Sequence, residues 1–512
     1  MGAAEESGRT TGRARAGAKK AGTAAPAPQS TPRAKRSVLP SAEQMRRSTR
    51  EERLLIGRAA RQRIPREAHA GWRPADDRQD PIALLEDQAT TRVAELVPIR
   101  HGRMAVSPFA FFRGGALIMA ADLAATPDSG IVAQLCGDAH LSNFGLFASP
   151  ERHMLFDIND FDETLPGPWE WDVKRLAASF EVAGRDVGLS TADRRDVVLT
   201  AVREYRKTMR EASEMGVLEA WYSHITADDV LRMVDEEGLA GRLTPREVKQ
   251  AGKIIEKARS RVHKRSFDRL VHVVDGQLRI APDPPLIVPI DDLVGPEARR
   301  EETEDWMLLL VDAYRASLSD SRLPLEEFRY VDTARKVVGV GSVGTRCYID
   351  LFIGRDMGNP LFLQTKEAPP SVLERFLGAS EFSNNGRRVV AGQRLMQAAS
   401  DIFLGWLRYK DQDGETRDYY VRQLHDWKGA VEIENLKLGG AIVYARLCGS
   451  TLARAHARAC DRVAVASYLG KGDTIDQAVA DFARAYAAQN ERDYETFTQA
   501  IASGRLEAAT GL

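Results

Sequence analysis

The sequence predicts an α+β protein of two lobes, a helical lobe encoded first and a β-rich lobe encoded after it. Three observations carry this. Helical periodicity with charged faces runs from 190 to about 269 and returns at 297–318, 438–459 and 475–497. Between these blocks Gly339, Gly341 and Gly344 sit among β-rich segments, and the TRCYIDLFIG that follows them is rich in Ile, Tyr and Phe. Upstream, the apolar runs FGLFA and MLFDI flank Ser149-Pro150 in the layout of a hairpin.

From the N-terminus, residues 1–41 are Ala, Gly, Pro, Ser and Thr with scattered Arg and Lys and few large apolar side chains. Such a segment cannot bury enough surface to offset its ordering entropy and reads as a disordered basic tail. It could touch nucleic acid, although a solvated tail without a dedicated partner is the preferred reading. A helical extension over 42–106 opens with a charged, helix-prone stretch closed by Pro65. It passes Trp72 and Pro74 and continues as a helix over 81–97.

The helical lobe spans 107–328. Ser107 is a good cap and Pro108 suits a first helical turn, so a helix is expected over 109–124, apolar nearly all round and therefore buried. Residues 131–136 make a short strand that feeds the loop CGDAHLSN. After Pro168 a long helix begins with Asp172 near its first turn, and 282–296 (PDPPLIVPIDDLVGP) reads as an irregular connector. The β-rich lobe spans 329–430. It holds a strand into the glycine turn, the strand after it and Lys366 in the apolar-flanked LFLQTKEA. A short helix opens at Pro370-Ser371, another covers 387–399, and a strand covers 418–424. Residues 431–512 close the chain with helices over 438–459 and 475–497 that pack on the helical lobe. No internal repeat is visible.

The chemistry-bearing residues cluster in two distant places. Asp138 and Asn143 stand in the spacing D-x-x-x-x-N, and a second apolar run ends on Asp157, with Asp160 three residues on. Phosphoryl transfer needs this kit: one carboxylate to orient an attacking hydroxyl, and an amide oxygen with a second carboxylate to hold Mg²⁺. Distance from Asn143 favours Asp157 as the metal ligand and distance to Asp172 favours Asp160; Asp157 is placed first and both are kept. A solvated acidic turn is the bland alternative.

Gly339, Gly341 and Gly344, with Ser342 between them, spell G-x-G-x-x-G. Followed by a strand and not by a helix, they read as a hairpin whose backbone N–H groups approach phosphate oxygens, with Lys366 supplying charge. An ordinary β-meander turn is the alternative. His140 could shuttle a proton or take a phosphate, while a loop His bonded to backbone is commoner. Arg113, after three aromatics in FAFFRGG, could reach a phosphate or pair with the acid cluster. Cys136 and His140 lack a second ligand pair at zinc spacing. The acid that pairs with Lys366 stays open among Glu374, Glu381 and Gln393's helix.

The strings SPFAFFRGGALIMAADLA, CGDAHLSNFG, FDINDFDETLPGPWEWDVKRLAAS, VGVGSVGTRCY, FLQTKEA and LARAHARA resemble the bacterial family catalogued as domain of unknown function 2252, from about residue 61 to near the C-terminus. More remotely, GDAHLSN is similar to the HGD-x-x-x-x-N loop of aminoglycoside phosphotransferases and other kinase-like small-molecule kinases. That likeness implies a bilobal protein-kinase-like fold, with Asp138 as catalytic base, Asn143 as a Mg²⁺ ligand and Asp172 capping the loop. It departs by having Cys136 where those enzymes have His. Because the glycine turn and Lys366 come after the catalytic loop, the fold would be circularly permuted, which is cheap when termini lie close together at the surface. Either 109–124 or 452–459 would supply the helix before the catalytic strand.

Composition sets outer bounds. Hydrophobic content of 43% over 512 residues suffices for a sizeable core, and a net charge of −1 exerts no overall pull toward nucleic acid or membrane. Four separated cysteines suggest neither a disulfide framework nor a thiolate metal site, and with no apolar run near 18 residues the expected location is the cytoplasm. The expected activity is an ATP- and Mg²⁺-dependent phosphotransferase acting on an unknown hydroxyl of a small-molecule or protein acceptor. Nucleotidyl transfer on the same fold, a catalytically silent nucleotide-binding or regulatory module, and accidental motifs in an unrelated α+β protein are the alternatives.

Overall fold

The computed structural model describes residues 39, 43, 47–259, 263–294, 300–318, 323–410, 414–424, 429 and 431–511. The basic tail read over 1–41 lies, but for residue 39, outside them. Helix α1 (Arg50–Arg63) starts in a capping box, Thr49 with Glu52, and ends ahead of Pro65. Asp80 caps α2 (Pro81–Ala89), whose first residue is proline, and α3 (Val97–Met104) follows.

Where one helix was expected over 109–124 there are two, α4 (Pro108–Gly114) and α5 (Ala116–Ala124). Ser107 caps the first, as read. Gly115, at φ −96° and ψ 28°, breaks the run, because a Gly-Gly pair contributes no side chain to hold the turn and raises the entropic cost of helix.

Strand β1 (Val132–Leu135) pairs antiparallel with β4 (Leu165–Pro168). Between them β2 (Phe144–Ala148) and β3 (Met154–Ile158) form the expected hairpin, in the register Phe144 to Ile158. Helix α6 (Glu170–Asp186) is buried along nearly its whole length. The helices α7 (Thr191–Glu214), α8 (Val217–Tyr222), α9 (Ala227–Leu239), α10 (Pro245–Arg259) and α11 (His263–Leu270) continue the helical block, with caps at Ser190 and Thr226. A hairpin of β5 (Val271–Val274) and β6 (Gln277–Ile280), missed by periodicity, turns on Asp275-Gly276, both at positive φ, as a tight two-residue turn demands.

The stretch 282–296 is less irregular than its prolines suggest. It holds β7 (Ile287–Pro289), at the edge of a sheet where proline's missing donor is harmless, and α12 (Ile290–Val294). After α13 (Arg300–Arg315) and α14 (Leu323–Glu326) come β8 (Arg329–Lys336), β9 (Cys347–Ile353), β10 (Pro360–Glu367), α15 (Glu374–Leu377), α16 (Asn385–Met396), β11 (Gly405–Lys410) and β12 (Thr416–Gln423). These strands make one six-stranded antiparallel sheet ordered β11-β12-β10-β9-β8-β7. The chain closes with α17 (Leu438–Arg458), α18 (Arg462–Leu469) and α19 (Thr474–Ala502).

Mixed α and β structure is therefore the fold class. One large apolar cluster joins the helices to β1–β4, and two smaller ones cover the two faces of the six-stranded sheet. Alternation along β10 sends Leu361, Leu363 and Thr365 to the face under α13, and Phe362, Gln364 and Lys366 to the other. The residue after α17 meets β1: Gln134 N donates to Ala459 O at 3.0 Å. Among the described residues no helix is long and apolar enough to cross a membrane.

Candidate functional site

The loop between β1 and β2 is held from beneath by one carboxylate. Asp172, in the first turn of α6, accepts the N–H of Cys136 at 2.8 Å and of Gly137 at 3.1 Å. His456 Nε2 of α17 lies 3.2 Å from the same carboxylate and is oriented by Tyr205 Oη on Nδ1 at 2.8 Å. Gly137 has φ +86°, and a Cβ there would stand 2.3 Å from Glu163 O, so the turn that aims Asp138 accepts no side chain at this position. His456, from the far end of the chain, occupies the space beside Asp172. Burial pushes the Cys136 thiol well up, so it is a neutral packing group.

Asp138 is gripped on Oδ1 by Arg175 Nε at 2.7 Å and Nη2 at 2.6 Å. Arg175 sits one helical turn after Asp172, stacks 4.3 Å over Phe112 and donates to Phe112 O at 3.0 Å. Burial raises the Asp138 carboxyl, while Arg175 and then Arg113 pull it back down. Asn143 Nδ2 donates to Asp138 O at 2.8 Å, so that bond leaves unused the amide oxygen, the atom a hard cation takes. His140 Nε2 is 3.7 Å from Asp138 Oδ2, too far for a hydrogen bond, and its buried Nδ1 meets no hydrogen-bond partner among the described residues. Burial, with Arg113 and Arg175 nearby, holds its pKa well below the ordinary value and the ring neutral.

The two candidate metal carboxylates face different surroundings. Asp157 is buried and spends its oxygens on backbone, Oδ1 on Ile158 N at 2.8 Å and Oδ2 on Ala398 N at 2.9 Å, with Arg458 and Arg454 as the nearby charges. Asp160 is half-buried and accepts Asp162 N at 3.2 Å. Burial first, then the neighbouring Asp162, raises its carboxyl against the pull of Lys366 and Arg422.

Asp162, which the sequence reading did not single out, meets Lys366. Its Oδ2 lies 2.6 Å from Nζ and 3.3 Å from Ser342 Oγ, and its Oδ1 accepts from Tyr420 Oη at 2.5 Å. Burial works to raise this carboxyl, but Lys366 and Tyr420 override it and hold it well below the carboxylate range. Lys366 in turn is almost fully buried, lies 5.5 Å from the Tyr420 ring centroid and stays charged. The acids weighed as its partner do other work. Glu374 accepts Ser371 N and Ser380 N at 3.2 Å each, Glu381 is exposed, and Gln393 bonds Gln397. A signal for Asp162 was present in the D-F-D triplet, two residues beyond Asp160.

The glycine turn joins β8 to antiparallel β9, the hairpin context and not the strand-to-helix one. Its backbone is tied to the N-terminal extension. Val93 N donates to Gly344 O at 2.8 Å, Arg103 Nη1 to Gly339 O at 2.7 Å, and Arg92 to Val343 O. Val343 packs with Leu96 and Ile99. Gly341 approaches the backbone of Arg113, whose buried Nε lacks a partner and whose charge faces Asp138 and Glu434. The structure thus gathers Asp138, His140, Asn143, Asp160, Ser342, Lys366 and Arg113 around one region and sets Asp157 apart, on the α17 side.

Among the described residues no three His, Cys, Asp or Glu side chains converge as metal ligands. The oxygen of Asn143 and the carboxylate of Asp160 suit Mg²⁺, which keeps several waters and shares phosphate oxygens. If Asp160 is that ligand, Asp160→Asn should abolish the Mg²⁺ concentration dependence of nucleotide binding, while Asp157→Asn should lower the melting temperature and leave the dependence in place. Magnesium titrations by calorimetry read both, and the reverse pattern would return the role to Asp157.

Residues 92–500 match a family described as an uncharacterized protein conserved in bacteria, DUF2252. No curated protein and no solved structure matches the chain.

Proposed function

For a chain that belongs to the DUF2252 family of uncharacterized bacterial proteins, we propose an ATP- and Mg²⁺-dependent, kinase-like phosphotransferase with a circularly permuted fold. The observation that carries it is the 2.6 Å pair between Lys366 and Asp162, which joins β10, the second strand after the glycine turn, to the loop bearing Asp160. Phosphoryl transfer needs such a meeting, because phosphate-binding groups and metal ligands must address one triphosphate.

The permuted reading draws further support from topology. In the order β8, β9, β10, β12, β11 the sheet has the glycine turn between its first two strands, Lys366 on the third, and α16 inserted before the last pair. The approach of α17 to β1 gives a helix-to-strand entry to the catalytic loop from the far end of the chain.

In this reading Asp138 orients an acceptor hydroxyl through Oδ2, since Arg175 holds Oδ1. Asn143 and Asp160 hold Mg²⁺, which would bridge phosphate oxygens and neutralise developing charge. The turn 339–344 and Lys366 bind the phosphates, Asp162 positions Lys366, and Arg113, with its spare Nε, is the further cation within reach. The dry, cationic setting keeps His140 neutral and leaves it a hydrogen-bonding role.

A silent nucleotide-binding module is the second reading, favoured by one observation: Arg175 occupies Asp138 Oδ1 with two N–H groups and works against the burial that keeps this carboxyl raised. Incubation with γ-labelled and α-labelled ATP separates phosphoryl transfer, nucleotidyl transfer and silence. Binding is tested first by melting. ATP with Mg²⁺ should raise the melting temperature, a ligand at 100 times its Kd adding about 2.7 kcal/mol. Lys366→Met, which leaves Asp162 its Tyr420 bond, should lose most of that rise. Absence of any rise in the unaltered protein at millimolar ATP would defeat both nucleotide readings.

A further inference from the structure

The face of the six-stranded sheet turned away from Lys366 carries a cavity of ≈ 50 Å³, roofed by α13 and lined by Tyr314, Tyr330, Tyr348, Tyr409 and Tyr419. At its floor Asp350 of β9 is 6% exposed. Thr333 donates to its Oδ1 and Thr365 to its Oδ2, each at 2.7 Å. Both bonds come from neutral hydroxyls, and among the described residues no cation is paired with this carboxylate.

That is costly, because a buried carboxylate is normally compensated by a cation or loses its charge. Burial pushes Asp350 up to about 6, which still leaves it mostly ionised at neutral pH, and the two hydroxyls aimed at it suit the ionised form. Asp291 and Asp332 add negative potential at Tyr330, whereas Arg394 adds positive potential at Tyr314 and donates to Leu404 O, not to Asp350. Aromatic rings attract cations through their negative faces, most strongly for poorly hydrated alkylammonium ions, and a carboxylate at the end of a tyrosine-lined cavity adds the counter-charge. The size is consistent: one water-sized group takes roughly 10–15 Å³ by the same measure, so the space admits a handful of atoms such as a methylated ammonium head.

We propose that this tyrosine-lined cavity binds a small organic cation of the alkylammonium class, with Asp350 as its counter-ion. The site is separate from the cleft of Asp138 and Asp160 and stands whether or not that cleft transfers phosphate. Since Thr365 of the cavity precedes Lys366 on β10, an occupant would bear on the strand that carries the lysine.

The test is calorimetric titration of the whole protein with choline and with 3,3-dimethyl-1-butanol, its neutral isostere of the same shape. Choline should bind roughly tenfold or more tightly than the alcohol. Asp350→Asn, with its fold checked by near-ultraviolet dichroism, should erase the difference, and Tyr330→Leu should weaken choline several-fold. Equal affinity for the two probes in the unaltered protein would overturn the cationic assignment without need of any variant. So would failure of choline to bind at roughly 50 mM, or choline binding unchanged in both variants.

Discussion

Asp138→Asn should reduce label transfer from γ-labelled ATP by roughly 10²–10⁴-fold, the range over which a positioned general base contributes. The substitution keeps the shape of the side chain and an oxygen for Arg175 to hold, so the loop between β1 and β2 stays in place. What it removes is the second anionic oxygen, the one not engaged by Arg175 and left to meet an acceptor hydroxyl. Nucleotide affinity should survive, since the proposed function gives the phosphates and metal to Lys366, Asn143 and Asp160 and not to Asp138. The control is therefore the melting rise with ATP and Mg²⁺, which should match that of the unaltered protein. Because the acceptor is unknown, slow ATP hydrolysis or self-labelling serves as readout. A rate in Asp138→Asn equal to the unaltered rate, with the melting rise intact, would move the reading to a silent nucleotide-binding module.

The largest loss of stability is expected from Asp172→Ala. Asp172 accepts two backbone N–H groups and lies beside His456; Asp172, Cys136 and His456 are buried and Gly137 is half-buried. Truncating it strands the Cys136 and Gly137 donors, each worth about 1–3 kcal/mol when left unmade. It also leaves a cavity at the start of α6, and breaking a buried charged cluster costs about 3–5 kcal/mol in all. Asp172→Asn should cost less, since one amide oxygen still accepts one of the two donors. Denaturant midpoints followed by tryptophan emission give the comparison, Trp169 and Trp171 lying on either side of Glu170 at the start of α6. A loss of under about 1 kcal/mol in the alanine variant would show that the loop is held by something other than this cap.

The stretches that sequence reading placed well are those whose signals are local. The hairpin of β2 and β3 has two short apolar runs and a Ser-Pro turn between them. Helix α6 begins just after Pro168 with acids in its first turn, which favours the positive end of a helix. The glycine turn was recognisable as a hairpin because the next residues are β-branched and aromatic, whereas the capping part of Asp172 was an expectation from the resemblance to aminoglycoside phosphotransferases and not from spacing. The break at Gly115 was harder to see, since the flanking residues keep an apolar helical pattern across it.

Asp162 was passed over because its meaning depends on Lys366, which lies 204 residues further on. A third acid in DINDFDE looks in sequence like more of a solvated turn, and only the fold brings a lysine, a tyrosine hydroxyl and a serine to it. The choice between Asp157 and Asp160 had the same character. Spacing argued both ways, whereas Ala398 and Arg458, from two other elements, surround Asp157 and leave Asp160 facing Lys366.

By itself, then, the amino-acid order determined most of which segments are helix, strand or turn, because caps, periodicity and glycine act over a few residues. Tertiary structure decided which side chains meet. The Arg175 grip on Asp138, the clamp of residues 92–103 on the glycine turn, and the pairing of Asp350 with two threonines are all contacts between separate elements. Their energies come from burial and from removing water around charges, quantities that no window of sequence contains until the chain has closed on itself.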